Sequence, residues 1–382
     1  MSPTARVATP ESPARLAHRE RADAPSPPRR TTPSPLRPSD ALGRVEALMH
    51  ALAGDDGCFC ARMAREHLAA GGKRLRARLA LAAAEALGAS RNDAAPWAAA
   101  CELLHNATLV HDDLQDGDAV RRGRPTTWAR YGAAQAVNAG DLLLMLPFLA
   151  ADRLPAPPDV RLALATALAR AATETVRGQA AEMRLPAACG YEWDGWLPAV
   201  EGKTGALFQL PVEGAARLAG RDAASARALA APFRRVGVLF QLQDDVLDLF
   251  GDKGRGAPGA DLREGKVSAL VVEHLELHPG DTAWLRGLLA LPRDATPEAE
   301  VDRAIERFRS GGALRRVLDR VRSEAWSVAE SPAFAAAPAL GEVARELVCV
   351  ALTPIGHLGQ LTDFVPAVAE NEETTRMRGA AG

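Results

Sequence analysis

A short acidic pattern that occurs twice constrains this chain most. Asp112-Asp113-Leu114-Gln115-Asp116 and Asp244-Asp245-Val246-Leu247-Asp248 have the same spacing. Each follows a run whose apolar residues recur at helical intervals, CELLHNATLV before the first and RRVGVLFQLQ before the second. On a helix the first and third aspartates share a face, with the second beside them. Like charges so placed repel. A single copy reads as a solvated helix face or a cap. Two copies inside apolar helices imply burial, and buried carboxylates must be paired or bind metal. Carboxylate oxygens suit a hard cation such as Mg²⁺, which keeps waters and bridges to phosphates. Two opposed clusters of this kind would hold several ions and neutralise a diphosphate.

The rest of the chain is consistent with an all-helical host. Of 382 residues, 47% are hydrophobic and only 4% aromatic, with alanine and leucine dominant. Breaks fall at Gly71-Gly72, 88–90, 154–159, 189–195, 251–259, 278–281 and 291–297, where glycine and proline cluster. Neither an alternating strand pattern nor a 20–50-residue repeat is visible. Residues 1–38, rich in proline, arginine and serine, read as a disordered extension, and 366–382 as a polar tail. One helical catalytic domain is expected over 39–365.

A formal net charge of −2 gives no footprint for nucleic acid. Lacking a signal sequence and an uninterrupted apolar span, the chain is expected to be cytoplasmic, with no membrane crossing. Five scattered cysteines argue against a disulfide framework and for a reducing compartment. Cys58 and Cys60 with His67 lack a second ligand pair, so they read as core or loop residues rather than a zinc site.

Basic residues lie near each acidic cluster. They are Lys73, Arg74 and Arg76 after two glycines, Arg121 and Arg122, Lys203 before Thr204 and Gly205, and Lys266. Taken singly, each is an ordinary surface charge. Together with two acidic clusters they suggest a site for two phosphate groups, one gripped through metal and the other by Lys and Arg directly.

In order along the chain stand GGKRLR (71–76), HDDLQD with RRGRPT (111–126), KTG (203–205), FQLQDDVLD (240–248) and DLREGK (261–266). This ordered set resembles the trans-polyprenyl diphosphate synthase family. The resemblance implies a single-domain isoprenoid-synthase bundle of helices around a central apolar cavity. It implies condensation of isopentenyl diphosphate with an allylic diphosphate, and a homodimer. Asp112, Asp113, Asp116, Asp244, Asp245 and Asp248 match the metal-binding aspartates. Arg121, Lys203 and Lys266 match contacts to the allylic diphosphate. Gln241 matches a polar residue near the reacting carbons, and Thr204, in the KTG motif, is expected to bind substrate. Lys73, Arg76, His105 and Arg122 match the isopentenyl diphosphate pocket. Read alone, His105 would be a satisfied helix histidine.

Three positions depart from the family pattern. Ala77 replaces a proline and Trp128 a histidine. Gly256 falls where a loop lysine is usual, with Arg255 one residue earlier. Ala107 and Thr108, one turn or more before Asp112, are small where short-chain members often carry an aromatic. An open floor there predicts a product of geranylgeranyl length or longer, with Met145 or Phe148 as a deeper stop. A class I terpene cyclase, a farnesyl product and a catalytically idle partner subunit are the competing readings. A cyclase needs no second diphosphate pocket, and an idle subunit usually loses aspartates.

Overall fold

The computed structural model describes residues 36, 40–55, 57–186, 191–251 and 258–358. The expectations for the two terminal segments and for Arg255 fall largely or wholly outside these residues. The helices are α1 (Asp40–Ala53), α2 (Phe59–Ala69), α3 (Leu75–Ala86), α4 (Ala95–Gln115), α5 (Thr127–Tyr131), α6 (Ala133–Asp152), α7 (Pro158–Arg184) and α8 (Trp193–Val200). They continue as α9 (Ala206–Leu218), α10 (Ala223–Phe250), α11 (Ala260–Arg263), α12 (Ala269–Leu277), α13 (Thr282–Leu289), α14 (Glu298–Ser310), α15 (Ala313–Ala329) and α16 (Pro338–Leu352). The fold is all-α. Among the described residues the strands are β1 (Val120–Arg121) and β2 (Arg124–Pro125), an antiparallel pair. Two residues per strand are too few for periodicity to reveal.

Two long helices carry the acidic motifs. α4 packs against α1, α3, α6 and α9. Its alanines 98, 99 and 100 are fully buried, small enough to let neighbours close in. Trp97, also fully buried, donates Nε1–H to the Pro211 carbonyl at 3.0 Å, so the one polar atom of a large apolar ring is satisfied. α10 packs against α9, α15 and α16. Its start is fixed by Asp222, whose carboxylate accepts from the backbone of Ala224 and Ser225 at 2.9 and 3.0 Å.

Between α8 and α9 the backbone widens into a π-helical turn, Glu201–Gly205. Such turns occur frequently at functional sites. This one is wedged between α7 and α10 by glycines. A Cβ on Gly178 would lie 2.2 Å from the Lys203 nitrogen, and one on Gly237 would lie 2.5 Å from the Gly205 Cα. Backbone meets backbone on both sides, which fixes the height at which Lys203 and Thr204 enter the bundle.

One helix departs from the buried pattern. α6 is long and apolar enough to cross a membrane, yet 39% of its apolar window is buried within the chain. Its outer face leaves Val137, Met145 and Leu149 at 43%, 53% and 54% exposure, and α7 adds Leu162 and Val176. Met145 therefore points outward and does not line an internal floor.

Candidate active site

The first aspartate motif ends α4. Asp113 is buried, and Arg121 Nε donates to its Oδ1 at 2.5 Å. Burial pushes Asp113 up to about 6, against the pull of Arg121. Burial also raises Asp112, with Lys203 pulling the other way. Asp116 receives Lys266 Nζ at 2.7 Å.

Arg121 is aimed by the hairpin. Arg122 and Gly123 form its turn with φ of 53° and 70°, the left-handed pair that a two-residue hairpin demands. The Asp118 carbonyl anchors the hairpin base. It accepts Thr126 Oγ1 at 2.7 Å and Trp128 Nε1 at 2.8 Å. Trp128 thus has a structural duty where the family pattern has a histidine.

The second motif is held differently. Asp245 accepts the Ala269 backbone N–H at 2.7 Å and Gln241 Nε2 at 2.9 Å. Asp248 accepts the Asp261 backbone N–H at 3.1 Å. Both are buried, while Asp244 is exposed. Thr204 Oγ1 reaches Gln241 Oε1 at 3.4 Å. The segment from Gly259 to Lys266 therefore runs from Asp248 to Asp116, joining the two motifs through Lys266.

Among the described residues, no three His, Cys, Asp or Glu side chains form a ready cage for an ion. Lysine and arginine lie on the carboxylates instead. The donor set still fits a hard cation. Asp112 is a carboxylate that burial raises even with Lys203 beside it, so added positive charge would stabilise it. Burial opposes the charge on Lys203 and Lys266. Glu182 and Asp112 outweigh it for the first, and Asp116, Asp261 and Glu264 for the second, so both ammonium groups are held above their ordinary value.

The other predicted basic residues form a second cluster, near Arg121. Arg76 lies 4.4 Å above the Phe208 ring, and burial lowers it to about 10. His105 is pushed well below its ordinary value by burial, then by Arg76, Arg121 and Arg122. Arg76 Nε, His105 Nδ1 and His67 Nε2 are buried without a partner. Arg122 donates to the Gly71 carbonyl and lies against Gly72, where any Cβ would strike the guanidinium. Lys73 is exposed at the rim. Arg74 faces inward, bonding Glu46 at 3.1 Å and the Leu68 carbonyl at 2.6 Å, and so braces the fold.

Three site residues escaped the sequence reading, and a fourth, His67, was read only as a core or loop residue. His67 joins the basic pocket, and burial followed by Arg121 and Arg122 lowers it to about 3. Glu182 on α7 pairs with Lys203. Gln179, one turn earlier, donates to Gln115 at 2.9 Å. Arg293 reaches Asp118 at 3.1 Å and Glu264 at 3.2 Å. The signal for Gln179 and Glu182 was present as two polar residues, three apart, beside a helical glycine. For Arg293 nothing in its neighbours announced a role. Of the predicted floor, Ala107 is buried and Thr108 half-buried, its hydroxyl bonded to the His105 carbonyl at 2.8 Å.

Comparison with known proteins gives the family. Residues 59–308 match the family model for polyprenyl synthetase. The chain is 37% identical to a short chain isoprenyl diphosphate synthase of Methanocaldococcus jannaschii over 64% of its length and 74% of the relative's. It is 34% identical to a geranylgeranyl pyrophosphate synthase of Geoglobus acetivorans, covering 68% of this chain and 80% of that one. The crystal structure of a polyprenyl synthase from Caulobacter crescentus CB15, complexed with calcium and isoprenyl diphosphate, superposes with a TM-score of 0.73 at 30% identity. That match covers 82% of this chain and 94% of the other. An all-α bundle with two aspartate motifs, matched over most of its helical extent by these proteins, belongs to the polyprenyl synthetase family and is a trans-prenyltransferase.

Proposed function

We propose that this chain condenses isopentenyl diphosphate with an allylic diphosphate, with Mg²⁺, to give an all-trans product of geranylgeranyl length or longer. One observation carries the reading. Two polar clusters of different character are linked through Arg121, one of carboxylates and lysines, the other of buried imidazole and guanidinium nitrogens without partners. The first suits a diphosphate held through metal, the second a diphosphate held directly. A cyclase has no use for the second.

Asp112, Asp116 and Asp244 would hold Mg²⁺, which supplies positive charge at the diphosphate oxygens. Arg121, Lys203 and Lys266 stabilise charge on the departing diphosphate as the allylic C–O bond breaks and its electron pair leaves with oxygen. Arg76, His105, Arg122 and Lys73 seat isopentenyl diphosphate so that its double bond faces the electron-poor allylic carbon. A new C–C bond forms. The proton next to it passes to the released diphosphate, and the alkene is restored. Thr204 and Gln241, bonded to each other beside Asp245, would orient the reacting carbons. Apolar walls around the site would keep water from the cation.

The exposed apolar face of α6 and α7 supports a homodimer, since such a stripe on a globular chain marks an interface. Incubation of purified protein with isopentenyl diphosphate, Mg²⁺ and each allylic primer, followed by chromatographic sizing, tests the reading. Products of twenty carbons or more are expected. Cyclic hydrocarbons, or farnesyl diphosphate as the end point, would replace it with one of the alternatives.

A further inference from the structure

We propose that Arg293 is a positioning residue that frees Lys266 to meet the allylic diphosphate. The inference rests on the reading of Asp116 and Lys266 given above. Arg293 begins a short 3₁₀ turn, Arg293–Ala295, between α13 and α14. Its guanidinium spans three acceptors. Nη1 lies 3.2 Å from the Asp116 carbonyl and 3.1 Å from Asp118 Oδ1, and Nη2 lies 3.2 Å from Glu264 Oε1.

Glu264 is the centre of this network. Its side chain is only 6% exposed, and its second oxygen holds Lys266 Nζ at 2.8 Å. The same ammonium touches Asp116 at 2.7 Å. One lysine thus serves two carboxylates. A divalent ion held at Asp116 would displace Lys266 from that carboxylate, and reaching a bound diphosphate would draw the lysine off Glu264 as well. A nearly buried carboxylate left without a cation opposes that move strongly. Arg293 is already in place on the other oxygen of Glu264, so the carboxylate keeps a partner after Lys266 departs. The Asp118 end gives the arginine a fixed footing, because the Asp118 carbonyl is pinned by Thr126 and Trp128. The turn after α13 is thereby tied to the end of α4 and to the loop that delivers Lys266.

Steady-state kinetics on the full chain with Mg²⁺ tests this. Farnesyl diphosphate is varied at saturating isopentenyl diphosphate, then the reverse. For Arg293→Gln the KM for farnesyl diphosphate rises about tenfold, equivalent to one decade of affinity. The KM for isopentenyl diphosphate and the thermal midpoint stay at wild-type values. Adding Glu264→Gln to that variant removes the carboxylate that recaptures Lys266, and most of the lost affinity returns. Unchanged kinetics in Arg293→Gln overturn the inference. So does a parallel loss of both KM values and of the thermal midpoint, which marks a merely structural contact, or failure of the double variant to recover. In each of those cases an active wild type leaves the functional reading standing. A wild-type chain that makes no prenyl diphosphate sinks both.

Discussion

The two aspartate motifs are spelled alike and partnered differently. At the end of α4 the carboxylates meet side-chain cations. Asp113 faces Arg121, Asp116 faces Lys266, and Lys203 is the chief positive influence on Asp112. On α10 the buried pair accepts backbone amides, Asp245 that of Ala269 and Asp248 that of Asp261, and Asp245 also accepts the Gln241 side chain. A long side chain can swing away and be replaced by a metal ion. A backbone amide in a packed turn cannot. The first motif is thus met by long side chains from distant segments, whereas two aspartates of the second also hold backbone amides on either side of Lys266.

The largest consequence concerns turnover. Asp112→Ala and Asp244→Ala should each lower kcat by about a thousandfold, the scale of losing one preorganised electrostatic contact or more. Their thermal midpoints should stay near wild type. Near-normal turnover in either purified variant would remove that residue from the reaction. Asp245→Ala should behave otherwise, because it strips an acceptor from a buried amide. A stability loss of about 2 kcal/mol is expected, read by chemical unfolding. Equal stability in Asp244→Ala and Asp245→Ala would erase the distinction between structural and ligand-facing aspartates.

Much of this was legible before any coordinates. The helical spacing and the punctuation at Gly71-Gly72, 154–159 and 278–281 follow from local chemistry, and the helices end there. The aspartates stood out because acid inside apolar helix is costly. Partner choice was not legible, because it depends on segments distant in sequence. Lys266 and Asp116 are 150 positions apart, and Arg293 and Asp118 are 175 apart. The hairpin at 120–125 is too short to leave a pattern. The π turn at Lys203 comes from glycine contacts between three helices, and no single segment encodes it.

The floor below the first motif gives a smaller effect. Thr108 keeps partial exposure while Ala107 is 1% exposed, so the two positions part company. Thr108→Phe should shorten the product by at least one five-carbon unit, seen by chromatography of the dephosphorylated alcohols. Ala107→Phe should overpack the core at a cost of about 1–3 kcal/mol. A shortened product from Ala107→Phe at full stability would assign the floor to Ala107 instead.

The contrast in partners reaches the basic pocket, where His67 has cations nearby and no carboxylate to answer them. Burial first, then Arg121 and Arg122, lowers the ring to about 3. In the unfolded chain an imidazole takes its proton near pH 6.5. Between those values the unfolded state binds one proton more than the folded state. Stability must therefore fall as pH falls below about 6.5, with a slope approaching 1.4 kcal/mol per unit. His67→Gln keeps a polar side chain and abolishes this share of the slope. Urea unfolding at pH 7 and pH 5, without diphosphate, should show wild type losing about 2 kcal/mol more than the variant across that interval. His105 still contributes in both proteins, so a residual slope remains in the variant. Equal losses would mean that solvent or an anion already reaches His67, and the pocket would then resemble the exchangeable first motif more than the closed second one.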